Sequence, residues 1–198
     1  MQELVVASQN KGKVAEIQAV FAHLPFTVLS LAACGIIKEP AETGMTFMEN
    51  AVLKAHYYAA KTGKACLADD SGLEVDILGG EPGVYSARFA GEDADDAKNN
   101  QKLLARLEGV PREKRSGRFR CALAFVDPDG TLITAEGACE GIILPEPRGK
   151  NGFGYDPLFF LPAFQASMAE LTMEEKNAVS HRGQALKNMA VKLAGYRQ

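Results

Sequence analysis

The sequence predicts one mixed α/β domain over residues 1–198, with room for a cleft between two lobes. Three observations predict it. Short apolar runs of strand type alternate along the chain with segments whose apolar residues recur at helical spacing. A length of 198 residues suits one generous domain. Hydrophobic residues at 46% and charged residues at 24% match a globular chain and exclude a disordered or fibrous one.

Leu4, Val5, Val6 and Ala7 form a continuous apolar run, the pattern of a buried strand. The polar turn Ser8-Gln9-Asn10-Lys11-Gly12 follows. Val14, Ile17, Val20, Phe21 and Leu24 then recur at helical spacing until Pro25 stops the helix. Residues 26–31 read as a second strand. After the polar link Lys38-Glu39-Pro40, Thr46-Phe47-Met48-Glu49 fits a capping box, in which the Thr and Glu side chains satisfy each other's backbone N–H groups. That helix should reach Thr62, with Gly63 as its stop. The apolar run at 65–68 is expected to break at Asp69-Asp70-Ser71-Gly72, and Leu73, Val75 and Ile77 then alternate as a strand. Past the turn-rich loop 79–83, Asp93 is a candidate cap for a helix carrying Ala97, Leu103, Leu104 and Leu107. Residues 119–126 and 131–135 flank Asp127-Pro128-Asp129-Gly130, a hairpin pattern. A glycine-rich loop at 149–154 leads to an apolar stretch at 158–161. Ser180 opens a final helix with Leu186, Met189, Ala190 and Leu193 on one side.

Charge and cysteine content narrow the function classes. Twenty-two basic residues against 25 acidic ones give a formal charge of −3, without the basic surplus of a protein that grips nucleic acid through its phosphates. No apolar run approaches the ~20 residues that cross a bilayer. The opening Met1-Gln2-Glu3-Leu4 has no basic lead of a signal peptide. Cys34, Cys66, Cys121 and Cys139 match no metal spacing, and Cys66 and Cys121 read as small hydrophobes inside strands. The expectation is a soluble, reduced, cytoplasmic protein with neither nucleic-acid nor membrane partners.

Four segments are candidates for chemistry. Ser8-Gln9-Asn10-Lys11-Gly12-Lys13 turns a strand directly into a helix. The unsatisfied N–H groups there, the helix dipole and two lysines would suit a polyphosphate, although a solvated turn capped by Asn10 has the same pattern. Asp69-Asp70-Ser71-Gly72 presents two carboxylates fit to hold Mg²⁺ and polarise a water. Glu42 is a further ligand candidate, with Asp69 as the alternative second ligand, and Lys54, on a helix face with Asn50, would neutralise phosphate charge. An Asp-rich turn is the plainer alternative. In Asn151-Gly152-Phe153-Gly154-Tyr155-Asp156-Pro157, glycines would let the backbone approach a flat ring, the aromatics would stack on it and Asp156 offers an acceptor; a turn with a tucked ring fits equally. Lys176 and Ser180-His181-Arg182-Gly183 supply donors that would read carbonyl oxygens on a base.

Two other readings compete. Phe125-Val126-Asp127-Pro128-Asp129-Gly130-Thr131 resembles the haloacid-dehalogenase motif of aspartyl-phosphate phosphatases, with Asp127 as nucleophile. Only 67 residues follow Thr131, strand residues resume at once, and a hairpin turn fits better. A nucleotide-sensing or RNA-binding module would use the Phe153/Tyr155 loop and the basic stretch 112–120, which is also what an exposed charged loop looks like.

The order of segments is more telling than any one of them. Ser8-x-Asn10-x-x-Lys13, Glu42-x-Gly44-x-Thr46-Phe47-x-Glu49-Asn50-Ala51 with Lys54, Ala68-Asp69-Asp70-Ser71-Gly72-Leu73, Pro82-Gly83-Val84-Tyr85-Ser86-Ala87-Arg88, Gly152-Phe153-Gly154-Tyr155-Asp156-Pro157 and Ser180-His181-Arg182-Gly183 succeed one another along nearly the whole chain. Together they resemble the inosine/xanthosine triphosphate pyrophosphatase family, although Gln9 stands where many relatives carry Gly. The resemblance implies hydrolysis of deaminated purine nucleoside triphosphates to the monophosphate and pyrophosphate, Mg²⁺, a homodimer, and an elongated mixed sheet with the active-site cleft between two lobes. By that similarity Ser8, Gln9, Asn10, Lys11, Gly12, Lys13 and Lys54 hold the phosphates. Asp70 is general base and metal ligand, and Glu42 supports the metal. Ser71, Phe153, Gly154, Tyr155, Asp156, Lys176, His181 and Arg182 contact the nucleotide, the last two near the purine 6-oxo group.

Overall fold

The four apolar residues at the start, Leu4, Val5, Val6 and Ala7, are all buried, as both faces of a parallel strand must be. They belong to β1 (Gln2–Ala7) in a computed structural model that describes residues 2–22, 24–35, 38–93 and 95–196. β1 pairs in parallel with β2 (Phe26–Ser30) on one side and β3 (Ala65–Val75) on the other. Parallel neighbours need crossovers. α1 (Lys11–Phe21) and α2 (Phe47–Thr62) supply them. Thr46 and Glu49 form the expected capping box, and Gly63 takes φ +63° to close α2. α1 stops at Phe21, short of Leu24, where the Leu24 N–H turns back onto the Phe21 carbonyl.

The chain continues through α3 (Asp96–Arg106), β4 (Ser116–Val126), β5 (Leu132–Ile143), β6 (Phe159–Leu161), β7 (Ala166–Ser167), α4 (Met173–Val179) and α5 (His181–Tyr196). The strands form one seven-stranded mixed sheet in the order β2-β1-β3-β4-β5-β6-β7, with β5, β6 and β7 antiparallel in succession. Asp127 to Gly130 makes the expected tight hairpin. The Asp127 N–H donates to Thr131 O at 2.9 Å and the Gly130 N–H to Asp127 O at 2.9 Å, while the Asp127 carboxylate accepts from Gln2 and Tyr196.

Three expectations need correction. Asp69-Asp70-Ser71-Gly72 does not break the strand, because β3 runs through it without interruption. Ile77 lies in a 3-10 turn, Asp76–Leu78, after β3 has ended. The cap of α3 is Asp95, whose carboxylate accepts from the Lys98 N–H at 2.8 Å, not Asp93. α4 and β7, both short, are additions to the predicted set.

The sequence predicts one domain over 1–198, and the chain divides into two compact units. The first comprises Met1–Asp70, Cys121–Gly137 and His181–Gln198, and the second Ser71–Arg120 and Ala138–Ser180. The first has its own core, in which Leu4, Val6, Leu67, Leu123 and Phe125 from the strands meet Ile17 and Phe21 of α1 and Leu186 and Met189 of α5. In the second, Leu73, Val75, Phe119, Ile143 and Phe159 pack with Leu103 and Leu107 around Tyr155. Among the described residues no helix is long and apolar enough to cross a membrane.

Gly137, in β5, fixes how closely α5 approaches the sheet. A Cβ there would collide with the His181 carbonyl and lie 2.6 Å from the Ala185 nitrogen. Both obstacles are helix backbone and cannot swing away. Gly137→Ala should therefore cost about 1–3 kcal/mol. Thermal unfolding should read this as a fall of roughly 2–4 °C per kcal/mol.

Candidate active site

Successive residues of a strand point to opposite faces of the sheet, so the adjacent Asp69 and Asp70 of β3 cannot act as a pair. Asp69 shares its face with Ala65 and Leu67, on the side covered by α1 and α5. Its carboxylate, 2% exposed, meets Lys13 Nζ at 2.5 Å and Arg182 Nε at 3.0 Å, and accepts from the Cys121 thiol at 3.1 Å. Arg182 is also buried, and its other arm pairs with Glu16 of α1. Two carboxylates and two cations make this group neutral. Burial alone would raise Asp69, but Arg182 and Lys13 outweigh it and hold the carboxyl well below the usual range. Burial and the neighbouring Asp69 push the Cys121 thiol up, so it stays a thiol.

Asp70 faces α2. Asn50 and Lys54, one helical turn apart on that helix, are buried. Asn50 Nδ2 donates to Asp70 Oδ2 at 3.3 Å, and Lys54 Nζ lies 2.9 Å from Asp70 Oδ1 and 2.6 Å from Glu42 Oε1. Gly44 is required beside them. Its N–H donates to Asn50 Oδ1 at 2.8 Å, and a Cβ would stand 2.6 Å from that same oxygen. Two carboxylates thus share the Lys54 ammonium. Lys54 is held charged: burial works against it, but Asp70 and Glu42 together raise it. Asp70 is pushed above the usual aspartate value. Burial is the main cause, Lys54 and Lys13 oppose it, and Glu42, a like charge nearby, adds to the rise.

The donor set around Asp70 suits a hard divalent cation, which takes one or two carboxylates and completes its shell with waters and phosphate oxygens. Among the described residues no group of three or more His, Cys, Asp and Glu side chains forms a fuller cage. Asp69 faces away, with both oxygens engaged by cations.

The turn before α1 is a capped helix start. Asn10 caps the helix, accepting from the Lys13 N–H at 3.1 Å, and Ser8 Oγ accepts from the Asn10 N–H at 3.2 Å. The first-turn N–H groups of Lys11 and Gly12 have no intrahelical acceptor, and Gln9, Asn10 and Lys11 are exposed around them. His181 opens α5 and is 4% exposed. The donors of Arg182, expected near a purine 6-oxo group, are in this structure engaged by Asp69 and Glu16.

In the second unit, Ser71 follows Asp70 in β3 and is half-buried. Lys176 Nζ pairs with Asp156 Oδ2 at 2.6 Å, both groups buried, and lies 4.6 Å from the Phe153 ring centroid. The two aromatics of the glycine loop part company. Tyr155 is tucked into the second core, its hydroxyl donating to Ser86 O at 2.8 Å, whereas Phe153 stays half-buried. The Asp156 carboxylate serves the loop itself, accepting from the Phe153 N–H at 2.9 Å.

Glu16 and Cys121 escape the sequence reading. Glu16 carried a signal: it falls three residues after Lys13 and four before Val20, on the edge of the apolar stripe of α1, where a carboxylate needs a buried cation. Cys121 carried none, since a thiol in an apolar strand reads as a hydrophobe.

The Ham1 family model matches residues 4–192. A dITP/XTP pyrophosphatase of Desulforamulus reducens is 54% identical over 185 residues, 93% of this chain and 92% of the relative. One of Geobacter sulfurreducens is 56% identical over 186 residues, 94% of each chain. The solved structure of a HAM1 protein from Coxiella burnetii is similar with a TM-score of 0.89 at 44% identity, covering 98% of this chain and 100% of that one.

The two aspartates should separate in stability. Asp69 has a depressed folded value, so its contribution is present above the ordinary aspartate value of 3.8 and is lost as pH falls through the lower folded one. Asp69→Asn at pH 7 should cost about 3–5 kcal/mol, because buried cations lose their partner. Asp70 has a raised value, so its contribution is present below the ordinary value of 3.8 and is lost as pH rises through the higher folded one. Asp70→Asn should leave stability close to that of the unsubstituted protein. Urea unfolding of both variants at pH 7 checks the ordering.

Proposed function

The chain belongs to the Ham1 family, and from its relatives' names and the Asp70 group we propose that it hydrolyses deaminated purine nucleoside triphosphates (ITP, dITP and XTP) to the monophosphate and pyrophosphate, clearing them from the nucleotide pool. The observation that carries the reading is the buried Asp70 carboxylate, which shares the Lys54 ammonium with Glu42, in the same unit as a helix start whose first-turn N–H groups lack intrahelical acceptors. With it go the family expectations of Mg²⁺ and a homodimer.

A triphosphate is strongly anionic, and its charge must be met before a water can approach phosphorus. The N–H groups at the start of α1, the Ser8 hydroxyl and Lys13 would bind phosphate oxygens, and Lys54 would add its ammonium from α2. Asp70 and Glu42 would hold Mg²⁺, which when bound supplies Lewis-acid charge to phosphate and water oxygens. Asp70 would take the proton from the water that attacks the α-phosphorus. Glu42 is the second ligand in this reading, since Asp69 points to the other face and is saturated by Lys13 and Arg182.

Selection of the base follows from hydrogen-bond polarity. A donor at His181 would satisfy a 6-oxo acceptor but meet the adenine amino group donor to donor, and a buried group left unpaired costs about 1–3 kcal/mol; Arg182, held by Asp69 and Glu16, would stand behind it. Phe153 would stack on the ring, with Gly154, Tyr155 and Asp156 shaping the loop and Lys176 fixing Asp156.

A product assay with Mg²⁺ tests the proposal. Inosine triphosphate should yield pyrophosphate, with Asp70→Asn lowering the rate by about 10²–10⁴-fold, the usual worth of a general base, and Asp127→Asn remaining active. Orthophosphate as the product, abolished by Asp127→Asn, would overturn it in favour of an aspartyl-phosphate mechanism.

A further inference from the structure

Two glycines flank Phe153, and both have left-handed backbone, φ +75° at Gly152 and +62° at Gly154. A segment of this kind has little conformational preference of its own. The position of the Phe153 ring therefore depends on what holds the loop. One hold is internal: the Phe153 N–H donates to Asp156 Oδ2, and a Cβ on Gly152 would collide with that carboxylate.

A second hold comes from α3. The Gly154 N–H donates to Asp96 Oδ2 at 2.7 Å, and the Gly154 carbonyl accepts from Asn100 Nδ2 at 2.9 Å. Asp96 and Asn100 are four residues apart, hence neighbours on one helix face, and between them they grip both polar backbone atoms of a single residue. α3 is firmly footed. Leu103 is fully buried in the second core. Asn99 donates to Ala87 O at 3.0 Å and accepts from the Ala90 N–H at 2.8 Å. Lys102 Nζ donates to Phe89 O at 2.6 Å. An acid in the first turn of a helix is favoured by the dipole, but that accounts neither for the bond to Gly154 nor for Asn100. Asn100 Oδ1 is buried with no hydrogen-bond partner among the described residues, so the amide is oriented by what its nitrogen gives to Gly154.

We propose that Asp96 and Asn100 are positioning residues that clamp Gly154 from α3 and so set where Phe153 presents its ring to the purine. The loop is ordered before substrate arrives, and binding does not have to order it. The consequence for catalysis rests on the function proposed above; the clamp itself does not.

The chain contains no tryptophan, so Phe153→Trp places a single indole at the tip of the loop. In that background Asn100→Ala should lower the fluorescence anisotropy of the indole. Asn100→Asp should lower it further, since a carboxylate there faces the Gly154 carbonyl without a donor. With Phe153 intact, Asn100→Ala should raise KM for inosine triphosphate about 10-fold, equivalent to ~1.4 kcal/mol, with kcat within about twofold. Inhibition by inorganic tripolyphosphate, which has no base to stack, should be unaffected. Unchanged anisotropy would overturn the clamp, and so would tripolyphosphate inhibition that weakens in parallel with KM, the mark of a general structural role. If the unsubstituted protein released no pyrophosphate while anisotropy fell as expected, the clamp would stand and the proposed function would fall.

Discussion

The pleat of β3 is the constraint from which the candidate site follows. A strand cannot aim two neighbouring side chains at one face. Asp69-Asp70 therefore supplies one carboxylate to the side of α1 and α5 and one to the side of α2. The first meets Lys13, Arg182 and Cys121. The second meets Lys54 and Asn50, with Glu42 sharing the ammonium. Two residues of one type, adjacent in sequence, acquire opposite proton affinities through geometry alone.

The surroundings of the two carboxylates differ as much as their directions. Around Asp69 the charges cancel, with Asp69, Glu16 and Arg182 buried and Lys13 half-buried, which leaves the carboxylate no capacity for another cation. Such a group is a fixture, expensive to break and of little net worth against an apolar alternative. Its use is registration, since it ties the start of α1 and the start of α5 to one point on β3. Asp70 shares the Lys54 ammonium with Glu42, and burial keeps its proton affinity high. Perturbed carboxylates of this sort concentrate where chemistry is done. Gly137 and Gly44 serve these two groups in turn, one by letting α5 close on the sheet and the other by letting the loop before α2 reach Asn50.

Much of this was legible locally. The capping box at Thr46 and Glu49, the left-handed stop at Gly63, the cap at Asn10 and the hairpin at Asp127 are each decided by residues within a few positions of one another, and each stands where the sequence puts it. The continuation of β3 was not legible, because two aspartates inside a strand become tolerable only through partners far away, Arg182 being 113 positions distant. The same distance hid the commitment of Arg182 to Asp69 and Glu16. For the glycine loop, composition could not decide which aromatic is tucked and which is available. That depends on the Ser86 carbonyl, which receives the Tyr155 hydroxyl, and on the α3 residues that grip Gly154. Periodicity placed α3 but not its cap, since Asp93, Asp95 and Asp96 offer near-equivalent local signals and only the fold selects among them.

Site-resolved titration of the aspartate side chains by carbon-detected NMR addresses the opposed environments of the two carboxylates most directly. The account predicts that Asp70 takes up its proton at a pH above the ordinary aspartate value of 3.8, while Asp69 remains ionised well below it. Coincident titration of the two, or Asp69 protonating before Asp70 as the pH is lowered, would contradict it.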